Sequence, residues 1–498
     1  MGIMQENKQT SNSTKVLKGI SSQTIVTIVL GIVEIVSFSI MSRLLSKEDF
    51  GFYAAINAIV IVFSSLSETG IGSALIQKKD ISYRYVSNAF TLSLLFGIAS
   101  MAILFLAAML LPESIVDQKM RLPLMLMSFT LLLNCISSVF MSILHRNLKF
   151  ISIGIVKLIS LVVTTIVAVI LAIKGFGYYA IITKAILASV ISCFLFFILS
   201  KTKYGLIIDK DSFKAIFSFS GWLMASRFFA ALSKQVDKLI MPRVMTITEL
   251  GAYTRPKDFI NTISEKINGI FDSALFPVLS SIQDKKEALA KAYRKSLYSM
   301  NLFSLLLSLA FAVNSELILR VFFGKEWIYL TPVFIVFSVL VFFNADGRIA
   351  DCYLRSLGKT KQQFYFRIVE FVTKAIGVIV GSHWGLIGVA IGVTLMECFV
   401  KMIKMVYAGS LVSVSFGEII VTLFKSCRFS IALILICLLV YMLVPSVLWG
   451  EIVLLSVFSV SSAIMFICFP NFVGEEYKRD LFPMIKKITD KVFRLNKQ

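Results

Sequence analysis

The chain has 498 residues, of which 57% are hydrophobic and only 16% are charged, and its mean hydropathy is +0.84. Soluble domains carry about 25% charged residues, so this composition excludes a large soluble protein. The formal net charge of +21 would indicate nucleic acid as a partner of a soluble protein. A membrane protein acquires the same excess by concentrating Lys and Arg in its inner loops, and that reading excludes a nucleic-acid partner.

Apolar runs of about 18 residues or more recur along the chain, and each is long enough to cross a bilayer as a helix. The sequence therefore predicts an all-α, multi-pass membrane protein. The fourteen predicted spans are residues 19–44, 51–76, 88–111, 122–144, 151–173, 177–200, 215–241, 250–280, 296–319, 331–354, 362–381, 385–400, 429–444 and 451–469.

The distribution of basic residues predicts the topology. If the N-terminus is cytoplasmic, the inner segments hold 31 Lys and Arg and the outer segments hold 7. Because cytoplasmic loops of membrane proteins are enriched in these residues, the asymmetry favours fourteen spans with both termini inside.

The sequence repeats itself after about two hundred residues. Residues 41–53 (MSRLLSKEDFGFY) and 241–253 (MPRVMTITELGAY) follow one pattern. Leu144-His-Arg146 and Leu354-Arg355 close corresponding spans. Phe176-Gly177 and Trp384-Gly385 follow them at nearly the same distance, at the starts of spans 6 and 12. Since each copy has six spans, both copies insert the same way up, which predicts two parallel six-helix repeats and two further helices.

This organisation predicts five segments: a cytoplasmic N-terminal segment at 1–18, an N-lobe of spans 1–6 at 19–200, a C-lobe of spans 7–12 at 201–410, spans 13 and 14 at 411–470, and a basic cytoplasmic tail at 471–498. The connectors 205–220 and 411–426 mix apolar and charged residues and are expected to lie along the inner surface. The alternation of apolar and basic residues in 477–498 predicts an amphipathic helix on anionic lipid, with a solvated tail as the alternative.

Four local motifs resemble the Wzx-type flippases, the polysaccharide transporter branch of the multidrug/oligosaccharidyl-lipid/polysaccharide (MOP) superfamily. Residues 43–53 with Ser73–Gln77 look like the first hairpin of that family, and Leu144–Phe150 resembles its turn between spans 4 and 5. Residues 250–255 and 275–284 resemble its eighth span and the following inner loop. The resemblance covers about residues 15–470.

The resemblance implies a V-shaped fold of two lobes with an aqueous cavity between them. It also implies a polyprenyl-pyrophosphate-linked (undecaprenyl-type) oligosaccharide as cargo, moved from the inner to the outer leaflet of the bacterial cytoplasmic membrane for cell-surface polysaccharide synthesis. Membrane lipid and a polysaccharide polymerase or export machinery are further candidate partners. We expect the two lobes to rock about a central site.

The seventh span carries three cations and one anion. Each charge at a helix centre costs about 2.5–3.5 kcal/mol on insertion scales, so these side chains are expected to face protein or water. Arg227, Lys234 and Lys238 have spacings of seven and four, which places them on one helix face. With Arg255 and Arg348 they form the predicted cargo-binding set, because Arg and Lys supply the donors that a pyrophosphate needs.

Three carboxylates are predicted to act as coupling groups or countercharges: Glu34, Asp237 and Asp258. Glu34 aligns with Lys234 at the repeat offset, so the two are expected to approach each other. An intramembrane carboxylate indicates a protonation switch or a countercharge. The alternative is that such charges only pair with each other and hold the lobe together, as Asp351 and Glu370 could do.

Catalytic motifs are absent from the sequence, which predicts a transporter and not an enzyme, with no cofactor and no metal site. The seven cysteines show no CxxC pairing, and only two histidines are present. A drug or cation exporter of the same superfamily is the first alternative, although a cationic cavity would repel cationic drugs. A membrane-embedded polymerase or glycosyltransferase is the second, and the short outer loops argue against it.

Overall fold

The computed structural model describes residues 26–67, 71–77, 81–110, 112, 113, 117–207, 210–443, 448–468, 478, 479 and 483. The regular elements of these residues are all helices, as the sequence predicted. The chain divides into two compact units, Met1–Arg255 and Pro256–Gln498. The predicted N-terminal segment 1–18 lies outside the described residues, as does the tail 471–498 apart from residues 478, 479 and 483.

Unit 1 is a bundle of long helices. In chain order they are α1 (Val26–Leu44), α2 (Lys47–Ser67), α3 (Ile71–Gln77), α4 (Tyr83–Leu110), α5 (Gln118–Arg146), α6 (Phe150–Ile173), α7 (Tyr178–Ser200), α8 (Lys210–Val244) and the start of α9 (Ile247–Ser281). Helix α5 packs against α4 and α7, and α2 packs against α8. Buried Leu75, Val86 and Ile143 join α3, α4 and α5.

Unit 2 contains the rest of α9 and seven further α-helices. They are α10 (Lys286–Val313), α11 (Ser315–Ile318), α12 (Thr331–Ser356), α13 (Thr360–Gly381), α14 (Gly385–Leu411), α15 (Phe416–Leu443) and α16 (Leu448–Cys468). Helix α12 packs against α10 and α14, and α15 packs against α10 and α16. Tyr293, Ile349, Tyr353 and Met405 are completely or almost completely buried at the centre of this core.

Within the described residues, ten stretches of helix are long and apolar enough to cross a membrane. One of them, Thr360–Leu411, contains both α13 and α14, whereas the charged helices α8 and α9 are not among the ten. The chain is therefore a multi-pass membrane protein, and the count of fourteen spans stays a prediction.

Two helices extend beyond the predicted spans. Helix α8 begins at Lys210, inside the predicted connector 205–220, whose place along the inner surface stays a prediction. The twelfth span was expected to end at residue 400, but α14 continues to Leu411 and buries Lys401 and Lys404. Both lysines had been counted in an inner loop. The apolar run did not predict the end of α14, because buried ion pairs extend this helix beyond the run.

The repeated sequence pattern encodes the same helix start twice. At α2, the Ser46 amide donates to the Asp49 carboxylate at 3.0 Å, and the Asp49 amide donates to the Ser46 hydroxyl at 3.1 Å. At α9, Thr246 and Glu249 make the same reciprocal bonds at 2.9 and 3.2 Å. This capping box satisfies backbone donors that would otherwise be unpaired at a helix start.

Two further turns recur in both repeats. Leu148 follows α5 with φ of 55°, and Gly358 follows α12 with φ of 69°. In each turn the amide of the next residue donates a hydrogen bond to the carbonyl oxygen five residues earlier. Gly177 precedes α7 and Gly385 begins α14, with φ of 53° and 68°. Since positive φ is rare outside such turns, the shared geometry shows that the sequence repeat is also a repeat of local structure.

The starts of α2 and α9, both within unit 1, cross at equivalent positions of the two repeats. A Cβ on Gly51 would overlap the Ile247 carbonyl oxygen, and a Cβ on Gly251 would overlap the Lys47 carbonyl oxygen. The reciprocal relation shows that the two capping boxes pack around a local twofold axis. Glycine is needed there because backbone meets backbone.

Small residues also join α13 and α14. A Cβ on Gly381 would overlap the Gly388 carbonyl, and a Cβ on Gly377 would meet the Gly392 carbonyl at 2.8 Å. Glycines at these positions let the two backbones approach closely, as is common between helices in a membrane.

We predict that Gly51→Ala lowers the stability of the protein because the added methyl group must push α2 away from α9. Overpacking of this kind costs about 1–3 kcal/mol. The measurement is the thermal midpoint of the detergent-purified protein. Gly31→Ala on α1 is the matched control, since a Cβ at Gly31 meets nothing within 4 Å. Equal midpoints for both variants and the wild type would contradict the close crossing.

Candidate functional site

Arg255, a predicted cargo ligand, is held by α1 and α2. Its Nε donates to the Ser42 hydroxyl at 3.0 Å, and its Nη2 donates to the Phe38 carbonyl oxygen at 2.8 Å. The guanidinium carbon lies 3.3 Å from the centroid of the Phe38 ring and 4.1 Å from that of Phe50. Such cation–π contacts contribute about 2 kcal/mol when they are desolvated. The position of this cation is therefore fixed before any ligand arrives.

Arg255 lines a cavity of about 140 Å³ inside unit 1. The lining residues are Glu34, Ser37, Phe38, Met41, Phe50, Ile181, Lys184 and Arg255. The Lys184 ammonium on α7 donates to the Ser37 hydroxyl on α1. One buried water needs about 10–15 Å³ of such space, so the cavity has room for a group much larger than a single water molecule. It presents two cations and one carboxylate to whatever enters.

The structure thus brings two of the predicted site residues, Glu34 and Arg255, into one cavity. Lys184 is a member that the sequence interpretation did not select, although a lone lysine in the apolar span 177–200 was the available signal. The predicted approach of Glu34 and Lys234 stays a prediction.

The other predicted residues lie on α8, α9 and α12. Asp237 is buried, with 1% exposure, and accepts hydrogen bonds from the Tyr253 hydroxyl at 2.9 Å and the Lys238 amide at 3.0 Å. Lys234 is exposed on α8. The remaining predicted residues are half-buried: Arg227 and Lys238 on α8, Asp258 on α9, and Arg348 on α12.

Unit 2 contains a second group of buried charges, centred on Glu397 of α14. Lys374 approaches the Glu397 carboxylate to 2.8 Å and Lys257 to 3.4 Å, and Lys401 makes a third ion pair with it. Lys401 also donates to the Asn344 side-chain oxygen. All three lysines and the glutamate are buried, so each charge depends on the others for its stabilisation.

Asp351 and Glu370 extend these ion pairs toward α12 and α13. Arg367 bridges the two carboxylates, at 2.8 Å to Asp351 and 2.7 Å to Glu370. Lys404 also reaches both, at 3.1 and 3.5 Å. Gln363 donates a further hydrogen bond to Asp351 at 3.1 Å. These side chains therefore pair with each other, which is the alternative that the sequence left open.

The sequence interpretation missed the α14 members of this network. Glu397, Lys401 and Lys404 are spaced by four and three residues, so they share one helix face. That spacing was a usable signal, but the predicted span ended at residue 400. Together with Lys257, Arg367, Lys374, Asp351 and Glu370, they form the buried network of unit 2.

Comparison with known proteins identifies the family. A family model described as "Polysaccharide biosynthesis protein" matches residues 40–332, more than half of the chain. The chain belongs to this family. This confirms the resemblance to the polysaccharide transporter branch that the motifs indicated.

Several relatives match over most of their length. The lipopolysaccharide biosynthesis protein WzxC of Escherichia coli K12 is 22% identical over 390 residues, which are 77% of this chain and 78% of WzxC. The teichuronic acid biosynthesis protein TuaB of Bacillus subtilis is 21% identical, over 72% of this chain and 74% of TuaB. The succinoglycan biosynthesis transport protein ExoT of Rhizobium meliloti is 21% identical, over 81% of this chain and 82% of ExoT.

Solved structures establish the fold. The lipid II flippase MurJ in an inward closed conformation superposes with a TM-score of 0.68 at 16% identity, covering 89% of this chain and 98% of MurJ. An inward-facing multidrug transporter of the MATE family gives a TM-score of 0.63 at 12% identity, covering 78% and 98%. The polysaccharide biosynthesis family member described here therefore has the fold of the MOP transporters.

We predict that Glu397→Gln strongly destabilises the protein, because it leaves three buried lysines without this countercharge. Removing one partner of a buried ion pair costs about 3–5 kcal/mol. The measurement is the thermal midpoint and the membrane abundance of the variant.

The control for this prediction breaks an exposed ion pair. Arg294 lies 2.7 Å from Glu418, and both side chains are exposed, so Arg294→Gln is expected to leave the midpoint unchanged because such pairs contribute little. A Glu397→Gln protein as stable as the control would show that the network does not hold unit 2 together.

Proposed function

We propose that this chain is a flippase for a polyprenyl-pyrophosphate-linked oligosaccharide repeat unit, which it moves from the inner to the outer leaflet of the cytoplasmic membrane. The cargo supplies a cell-surface polysaccharide. The observation that carries the proposal is the unit 1 cavity, which Arg255 and Lys184 both line. The chain also belongs to a family of polysaccharide biosynthesis proteins and has a transporter fold.

The chemistry of the cavity suits a phosphate group. An Arg guanidinium presents planar, directed donors to phosphate oxygens, and a Lys ammonium adds a point charge. Ser37 supplies a hydroxyl, and the Phe38 and Phe50 rings lower the local dielectric around the guanidinium. Glu34 is the countercharge of this cavity, which the anionic cargo displaces.

The remaining cargo contacts are proposed to come from the charged face of α8 and from α12. Arg227, Lys234 and Lys238 follow one another along α8, and Arg348 lies half-buried on α12. Asp237, anchored by the Tyr253 hydroxyl, is proposed as a countercharge to the α8 cations, and Asp258 is proposed as a coupling group or countercharge on α9. The buried network of unit 2 holds its helices together and is not part of the cargo site.

Transport proceeds in this proposal by alternating access, with both termini in the cytoplasm and the polyprenyl tail remaining in lipid. The chain acts as a transporter without a catalytic centre or cofactor. ExoT and a putative O-antigen transporter of Shigella flexneri, which is 25% identical over 384 residues, are both named as transport proteins, which supports this class.

We predict that Arg255→Lys reduces surface polymer at least tenfold while the protein remains at normal abundance. Lysine keeps the charge but loses the planar fork and the stacking on Phe38 and Phe50. Lys184→Gln is expected to have the same effect through loss of the second cation. The measurement is surface polysaccharide in a strain whose only copy carries the variant.

Lys174→Gln is the matched control, because Lys174 is an exposed cation at the end of α6. It should support wild-type polymer levels. Normal polymer in both cavity variants would exclude the cavity as the phosphate site.

We further predict that the double variant Arg227→Ala, Lys234→Ala abolishes surface polymer at normal protein level, since both cations belong to the proposed cargo-facing stripe. Membrane abundance and surface polymer are measured in the same cells. The double variant Lys174→Ala, Lys203→Ala, at two exposed cations outside α8, is the control. Unimpaired export by the α8 variant would remove the stripe from the cargo site.

A further inference from the structure

Asp346 of α12 is a fully buried carboxylate that, unlike those in the network, has no cation paired with it within the described part of the chain. It is 1% exposed, and among the described residues neither of its side-chain oxygens has a hydrogen-bond partner. Asp351 lies on the same helix five residues later and meets Arg367, Lys404 and Gln363. One helix therefore carries a fully compensated carboxylate and an uncompensated one.

The groups around Asp346 do not supply a countercharge. Asn301 faces it from α10 as a neutral amide, close enough to interact with the carboxyl group but outside strict hydrogen-bond geometry, and it supplies no charge. Tyr293 of α10 and Cys427 of α15 lie close enough to be affected by a charge on Asp346. Tyr353 follows on the same face of α12.

The nearby cation on α14 is already engaged. Lys401 packs beside Gly347, the residue after Asp346, but its ammonium is directed to Asn344 and Glu397. An isolated ionised carboxylate in an apolar interior is far less stable than its neutral form. Asp346 must therefore bind a positive species. A proton needs a single acceptor oxygen, whereas a metal cation in a protein takes several oxygen ligands.

We propose that Asp346 is a proton-binding site, and that its proton is the one coupled to transport. In the state described here, the carboxyl group is neutral and sits between α10, α12 and α15. A conformation that opens this packing to water lets the carboxyl group release its proton, and the bare carboxylate then holds that conformation open until a proton returns. The coupling half of the proposal rests on the proposed function, whereas the proton site itself does not.

Infrared spectroscopy of the purified full-length protein in lipid nanodiscs tests the proton site without any transport. Wild-type protein at neutral pH should show a protonated carboxyl band that Asp346→Asn removes. Glu418→Gln is the control and should leave that band in place, because Glu418 is an exposed carboxylate paired with Arg294. A band that persists in Asp346→Asn would overturn the proposal.

Thermal stability distinguishes a proton from a metal cation. Asparagine mimics the neutral acid, so Asp346→Asn should fold to normal abundance with a thermal midpoint at least equal to that of the wild type. Sodium chloride and choline chloride at equal ionic strength should affect the wild type equally. A specific increase with sodium, lost in Asp346→Asn, would assign a metal cation and overturn the proton site.

The coupling half is tested by surface polymer made at external pH 6 and pH 8. The wild type should respond to pH by several-fold, whereas Asp346→Asn should give no polymer or an amount that does not change with pH. A response equal to that of the wild type would overturn the coupling role. If the wild type itself exports no polymer, the proposed function fails, whereas the infrared result for Asp346 still stands.

Discussion

The structure depends on one constraint: a charge buried among apolar helices must meet an opposite charge or a dense set of hydrogen bonds. Glu397 shows this most directly, since three lysines from α9, α13 and α14 converge on one carboxylate. Because each partner left alone would be strongly unfavourable, these pairs lock the helices of unit 2 in one register. The glycine contacts between α13 and α14 complete that packing by letting the backbones touch.

The same constraint separates the charges by role. In unit 1, Arg255 is held by neutral groups, two aromatic rings, a hydroxyl and a carbonyl oxygen, and it lines an open cavity with Lys184 and Glu34. In unit 2, cations are paired directly with carboxylates. Arg255 faces an open space that an anionic ligand can enter, whereas the cations of the network face carboxylates inside the packed core. This difference is why we assign the unit 1 cavity to the proposed cargo site and leave the network out of it.

Much of the fold could be predicted from the sequence because the repeat is encoded locally. The Ser46–Asp49 and Thr246–Glu249 capping boxes and the paired glycine turns are short motifs, and their spacing alone predicts two parallel bundles. The candidate site was only partly predictable. Glu34 stood out as a lone carboxylate in an apolar span, and Arg255 as a cation on the charged eighth span. Their meeting with Lys184 depends on how α1, α7 and α9 pack. The sequence around Asp346 does not indicate that this carboxylate lacks a countercharge among the described residues, because its surroundings come from side chains on other helices.

The most direct measurement of the central claim is transfer between leaflets by the purified protein. Proteoliposomes carrying a fluorescent polyprenyl-pyrophosphate disaccharide in one leaflet, treated with a membrane-impermeant quencher, report how much label has crossed. Our account predicts label transfer that requires the protein, with a strong preference for the pyrophosphate lipid over a neutral polyprenyl glycoside. Equal transfer of both lipids, or export of a cationic dye without any transfer of the pyrophosphate lipid, would contradict it.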